Sequence, residues 1–316
     1  MSTLLSARGA RIHVDEAVAI GELNLETRGQ RLVLTGNTGP LVSALTGIPQ
    51  GVAEAALHAA TYGELALVPG RARAVSGELR LAGHDVVAGA HLPHVGAAPF
   101  DPPLPPEWTV ETYVTQTARL AMAARIESFS RTEVAQRAMD AISRLGLSTA
   151  KKKGLRSLHP AERRVMVLAA AVASGPAVLV ADRPLAGLDG QAAQFVFGAL
   201  EAAASDRGLV VSVAQVAPGT TEGTFARSAS DFAAFVAGEL SLFGPPASVL
   251  GERRVFRLTI RSNADALRSS LEQRGAALSG GPTHFTLQLA DGQDPSFVLG
   301  LASEVRSAVV EIVPVV

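Results

Sequence analysis

The sequence predicts an α/β domain with buried parallel strands, followed by a small α+β module of two split βαβ units. Three observations carry this expectation. Between residues 160 and 214, helix-length segments alternate with two short, nearly all-apolar runs at 177–182 and 208–214, the pattern of strands covered on both faces. Near residue 252 the pattern changes to short alternating strands and amphipathic helices. The chain has 316 residues, 47% of them hydrophobic, which suffices for two cores. Aromatics make up only 4%, so Ala, Val and Leu must fill the interior.

Residues 10–35 read as strands, ARIHVDEAVAI and then ELNLETRGQRLVLTG, where alternation gives way to the apolar run LVL. Gly36-Asn37-Thr38-Gly39-Pro40 is a turn, and LVSALTG starts a helix. Residues 50–63 read as a second helix. SGELRLAG, at 76–83, reads as a hairpin-like arm. The stretch PFDPPLPPEWT at 99–109 is too proline-rich for helix. Residues 110–147 are helical, with Thr132 and Glu133 as the expected start of their second helix. Helix is expected at 160–173 and 190–205 and strand at 177–182 and 208–214. After a linker over GPPASVLGERR come strand VFRLTIR, helix ADALRSSLEQRG, a weak strand near Ala276–Leu278, strand THFTLQLA, helix DPSFVLGLASEV and strand AVVEIVPVV. His284 is expected to face solvent on its strand. DGQD at 291–294 reads as a turn with Asp294 capping a helix, since the further acids of a calcium loop are missing.

Composition narrows the function. Net charge is −1, so no basic field exists to hold nucleic acid, and no nucleic-acid partner is expected. Cysteine is absent, which rules out disulfides and thiolate metal sites and permits a reducing cytosol. The N-terminus lacks a secretory signal pattern. The longest apolar stretch, Val165–Val180, is broken by Ser174, Gly175 and Pro176 and is too short to span a bilayer.

The stretch 157–189, SLHPAERRVMVLAAAVASGPAVLVADRPLAGLD, has the outline of a nucleotide-hydrolysing site. An apolar strand ends in Asp182, and a turn leads to Gly187-Leu188-Asp189. Where a water-polarising glutamate would stand there is Arg183, and a cation cannot take a proton from water.

The order of these pieces, over nearly the whole chain, resembles the nucleotide-binding subunit of ABC transporters, most closely the exporter class with a short C-terminal extension. The resemblance implies a P-loop NTPase-like ABC ATPase domain over 1–250, with a mixed sheet core, an antiparallel β-arm and a helical subdomain at about 100–157. It implies a ferredoxin-like regulatory or dimerisation module over 251–316. The family's phosphate loop, G-x-x-x-x-G-K-S/T, aligns with Gly36 to Ser43. Gly36 and Ser43 match, Gly39 lies inside the loop, Leu41 replaces the second glycine, Val42 replaces the lysine, and Pro40 removes a donor. Phe100 stands for the glutamine of the family's P-Q-x-P loop, and it reads equally as a core anchor or a partner contact. His159 and Pro160 stand for the glycines of the L-S-G-G-Q signature, with His159 read as a surface residue at a helix start. Gln215 stands for the histidine after the last strand. Asp182 and Asp189 are retained. Asp182 reads either as a metal ligand or as a strand-end cap, and Asp189 is implied to shape a subunit interface.

Phosphoryl transfer is mostly positioning and charge neutralisation, so each such loss costs on the order of several kcal/mol of transition-state stabilisation. The expectation is therefore a chain without ATP hydrolysis, without a metal site and with ATP–Mg²⁺ binding in doubt. It would be a structural or regulatory subunit, pairing as a homodimer or as a heterodimer with an active ABC ATPase. It would dock on integral membrane permease-like subunits at the cytoplasmic face of the cell membrane. Two alternatives stay open: a weak nucleotide-binding enzyme using Asp182, Gln215 and His159, and a soluble scaffold of a cytoplasmic machine. Residues 50–70 read as an insertion of unassigned role.

Overall fold

The computed structural model describes residues 3–49, 72–124, 129–217, 219–250, 255–290, 293 and 295–314. The helix expected at 50–63, the insertion at 50–70 and most of the DGQD turn lie outside these residues. The chain forms two compact units, Met1–Val249 and Leu250–Val316.

The first unit holds two sheets. One is antiparallel, made of β1 (Leu5–Val14), β2 (Ala17–Glu26), β4 (Ala72–Leu81) and β5 (His84–Asp85) in the order β2-β1-β4-β5. β1 begins at Leu5, earlier than its alternation suggests, because Leu4 and Leu5 are wholly buried. β2 is one strand across AVAIGELNLE, where two segments were expected. The second sheet contains β3 (Arg31–Gly36), β6 (Val95–Ala98), β7 (Val178–Ala181), β8 (Gly208–Val213), β9 (Asp231–Val236) and β10 (Glu239–Gly244), in the order β10-β9-β3-β8-β7-β6. Every pairing from β9 to β6 is parallel, and β10 closes the edge antiparallel. All residues of β7 and β8 are buried, as their apolar runs require.

One core joins the antiparallel sheet to one face of the second sheet, with helix α1 (Gly39–Thr46) between them. Leu41 and Leu45 of α1 are 0% exposed, each worth about 1.5–3 kcal/mol of burial, so this helix is fixed by packing. His91 braces the same helix from the side. It is 2% exposed, and its Nε2 lies 3.2 Å from the Ala44 carbonyl oxygen. Burial holds the His91 imidazole below its ordinary pKa, although the Asp85 carbonyl and carboxylate oppose this. The unfolded chain takes up that proton near pH 6.5 and the folded chain only at lower pH, so stability falls as pH drops from about 6.5. Denaturant midpoints measured between pH 7 and pH 5 should decline in the wild type. The His91→Gln variant, which does not titrate, should show a flatter profile.

Three helices follow β6: α2 (Val110–Ala123), α3 (Arg131–Arg144) and, beyond the residues expected for a helical subdomain, α4 (Pro160–Ala173). α2 buries Val110, Val114, Ala118 and Met122, one stripe at a spacing of four, and Thr109 caps it. α3 starts at Arg131 rather than at Thr132. Its cap is Ser130, whose Oγ accepts from the Glu133 N–H at 3.1 Å, a position that sequence order alone left ambiguous. α5 (Gly190–Ala203) and α6 (Thr221–Ser228) complete the layer of helices. The start of the expected linker is already structured: Pro246–Val249 form one helical turn, α7.

The second unit runs β11 (Val255–Ile260), α8 (Ala264–Glu272), β12 (Ala277–Gly280), β13 (His284–Gln288), α9 (Pro295–Glu304) and β14 (Val309–Pro314). Its sheet order, β12-β13-β11-β14, is antiparallel throughout and is the doubled split βαβ arrangement. His284 is exposed on β13, and the neighbouring Phe285 is buried. No helix among the described residues is long and apolar enough to cross a membrane.

Candidate functional site

The ends of three parallel strands converge where a ligand would enter the first unit. β3 ends at Gly36, β6 leads into Pro99 and Phe100, and β7 ends beside Asp182 and Arg183. Together with α1 they surround a cavity of about 510 Å³. Gly36, Gly39, Val42, Ser43, Phe100, Asp182 and Arg183 all line it, along with Thr38, Ile48, Val180 and four prolines. The fold therefore gathers most of the residues singled out from the sequence.

Four of them lie elsewhere. His159 is an exposed helix cap: its Nδ1 accepts from the Ala161 N–H at 3.4 Å, and Glu162 Oε2 accepts from the His159 N–H at 3.0 Å. Pro160 follows as the first residue of α4, where its missing N–H costs nothing. Gln215 is exposed in the loop after β8 and does not reach the cavity. Asp189 precedes α5 with no capping hydrogen bond from its side chain and is exposed.

The chemistry of the cavity wall centres on Arg183. Its backbone adopts φ +44, a left-handed conformation that costs a non-glycine residue about 1–2 kcal/mol. Ser212 holds it there, since the Arg183 N–H donates to the Ser212 carbonyl oxygen at 3.1 Å and to its Oγ at 2.9 Å. The turn sends the guanidinium back over its own neighbour. Arg183 Nε donates to Asp182 Oδ1 at 3.3 Å, and Nη2 to Oδ2 at 3.5 Å. Ser212 Oγ also donates to Asp182 Oδ1, at 2.6 Å. The carboxylate that would meet a metal is thus covered by a guanidinium and a hydroxyl.

Two cations lie against the Phe100 ring. The guanidinium carbon of Arg183 lies 4.4 Å from the ring centroid, and that of Arg164 lies 3.9 Å from it. Such contacts contribute about 0.5–2 kcal/mol each, more when shielded from water. The Arg164 side chain is only 12% exposed, and Arg164 pairs with Asp101 at 3.5 Å. Burial holds the Arg164 guanidinium below its ordinary pKa; Asp101 opposes this and Arg183 adds to it. Phe100 itself is half-buried and lines the cavity, with arginines packed on its ring.

The phosphate-loop positions are equally committed. α1 begins at Gly39, so only Asn37 and Thr38 connect it to β3, leaving little loop to wrap a phosphate. Ser43 Oγ donates to the Ile48 carbonyl oxygen at 2.6 Å, which turns the hydroxyl toward the helix end. Val42, in the lysine position, is 7% exposed and packs into the core. No group of three or more His, Cys, Asp or Glu that would hold a metal ion occurs among the described residues. This donor set is a poor match to a magnesium-bound triphosphate: the acid and the hydroxyl are engaged, and the lysine is missing.

Three participants went unmarked in the sequence. Ser212 carried a signal, being the one polar residue inside the apolar run GLVVSV. Arg164 carried none, because its partners come from distant segments, and Thr38 was legible only as part of the turn before α1.

Comparison with known structures places this architecture. A part of the ABC transporter complex cbiONQ from Clostridium perfringens, cbiO1, superposes with a TM-score of 0.56 at 17% identity, over 80% of this chain and 92% of that one. An ATP-binding cassette of an ABC transporter in its ADP conformation gives 0.58 at 14% identity, over 78% and 92%. The fold is that of an ABC transporter ATP-binding domain. In sequence, the chain is 29% identical over 192 residues to the human phospholipid-transporting ATPase ABCA7, and 28% identical over 187 residues to its mouse counterpart. Those matches cover 58% and 55% of this chain but only 8% of each relative, so the chain spans less than a tenth of their length. No protein-family model matches it.

Proposed function

We propose that this chain is an ABC-type ATPase-like subunit that does not hydrolyse ATP and serves a membrane-associated complex as a structural or regulatory partner. The observation carrying the reading is Arg183. It stands where a water-activating acid would be, and it covers Asp182 while bracing Phe100. Val42 and the short turn before α1 support it, since both lower the affinity for concentrated negative charge. Pairing with a copy of itself or with an active ABC ATPase, and docking on permease-like membrane subunits at the cytoplasmic face, follow from the resemblance and from the transporter complex of which cbiO1 is part.

Phosphate release by the purified chain with ATP and Mg²⁺ tests this directly. No turnover above that of a heat-denatured control is expected, with or without membranes. Sustained turnover that disappears in the Asp182→Asn variant would sink the proposal. Affinity capture from detergent-solubilised membranes, read by mass spectrometry, tests the second half. Recovery of a multi-span protein with an intact ABC ATPase is the expected result, and recovery of soluble proteins alone counts against it.

A further inference from the structure

The cavity beside α1 has lost the features that hold triphosphate, yet it has not collapsed. Its volume of about 510 Å³ falls in the range of small-molecule sites, roughly 300–1,000 Å³. Large residues from β3 and β7 pack to full burial elsewhere in this core, so an open space of this size stands out.

The lining sorts into two parts. Val42, Ile48, Ala98, Val180 and the prolines give an apolar floor and wall. The polar part is small and electrically balanced, because among the described residues the only charged ones lining the cavity are Asp182 and Arg183, which pair with each other. Besides the exposed Asn37 side chain, two hydrogen-bonding groups there are unspent. Thr38 is 5% exposed, and its side chain caps nothing and has no partner among the described residues. Arg183 uses Nε and Nη2 on Asp182, and its Nη1 has no partner among the described residues.

We propose that this cavity binds a small uncharged ring compound bearing a carboxamide or lactam group. The ring would lie on Val42 and Val180, and the carbonyl oxygen would accept from the Arg183 guanidinium and the Thr38 hydroxyl. Charge balance selects the neutral form. A carboxylate or an ammonium would lose its hydration in a cavity with no net opposite charge, and that loss outweighs one or two hydrogen bonds. The strained, doubly anchored backbone at Arg183 fits a group held ready for such a partner. The inference rests on the reading that this site no longer serves ATP.

A charge series of matched shape tests it. Benzamide, benzoate and benzamidine share one ring and differ in charge. Each is titrated into the full chain to about 10 mM, the scale on which fragments of this size bind. Methyl NMR shifts at Val42 and Val180 report binding. Benzamide should shift both methyls, with an affinity at least about tenfold above benzoate and benzamidine. The Thr38→Val variant, which keeps the side-chain shape and removes no cap, should bind benzamide several-fold more weakly. Val42→Phe should abolish binding by filling the space, with circular dichroism reporting whether each variant is folded. Absence of shifts with benzamide overturns the proposal, as does equal or tighter binding of benzoate. A parallel titration with ATP and Mg²⁺ separates the two readings. ATP displacing benzamide overturns the nucleotide-free reading and leaves the cavity site standing, whereas neither binding overturns the cavity site alone.

Discussion

Replacing Gly36 by alanine should unfold or severely destabilise the first unit, by about 3 kcal/mol or more. Two costs add. The residue sits at φ +86, where a Cβ costs about 1–2 kcal/mol. A Cβ there would also lie 1.9 Å from the Phe235 carbonyl oxygen on β9, a backbone atom that cannot swing aside. That oxygen already accepts from the Asn37 N–H at 3.2 Å, so moving it breaks the turn as well. Gly187 provides the control. It has φ +71 with nothing within 4 Å of an added Cβ, so Gly187→Ala should cost only the conformational term, about 1 kcal/mol. Urea melts of the two variants read the difference, and equal losses would refute the close-approach argument.

The contrast bears on what a retained motif residue means. Gly36 is the first glycine of a phosphate-loop pattern, and its identity suggests a remnant of phosphate binding. The structure supplies a different reason, the close approach of β3 and β9. Ser43 makes the same point, for its hydroxyl closes the end of α1. Motif residues can outlast their ligand when the backbone needs them for itself.

What was legible in the sequence follows from range. β7, β8 and α4 were readable because their signals are local: apolar runs of strand length and a proline-led helix start. The helix start at Ser130 was less so, since Thr132 lies two residues away with a competing hydroxyl. The unusual content of the site was legible as a set of substitutions, Val42, Phe100 and Arg183, but not as a structure. Nothing near Phe100 in the chain announces that Arg164 and Arg183 will stack on its ring, because β6, α4 and β7 meet only once the sheet forms. His159, Pro160 and Gln215 show the opposite case, being chemically suggestive side chains that the fold leaves at the surface, outside the cavity.

Removing the Ser212 hydroxyl should loosen this arrangement from below. Ser212 is 0% exposed, and its Oγ makes two contacts at once, donating to Asp182 and accepting from the Arg183 N–H. A hydrogen bond to a charged group is worth about 1.5–3 kcal/mol. Ser212→Ala should therefore cost about 2–3 kcal/mol, since both contacts go while the second bond of the Arg183 N–H, to the Ser212 carbonyl, survives. The loss should not be a general cavity effect, because alanine removes a single oxygen. A double-mutant cycle with Asp182→Asn isolates the coupling, which should reach about 1–2 kcal/mol for a hydroxyl donating to a carboxylate. Additive losses would mean that Ser212 supports β8 alone and that the Asp182–Arg183 pair orders itself. Coupling would tie the strained turn at Arg183, the covered carboxylate and Phe100 into one unit, held by the only hydroxyl in an otherwise apolar strand.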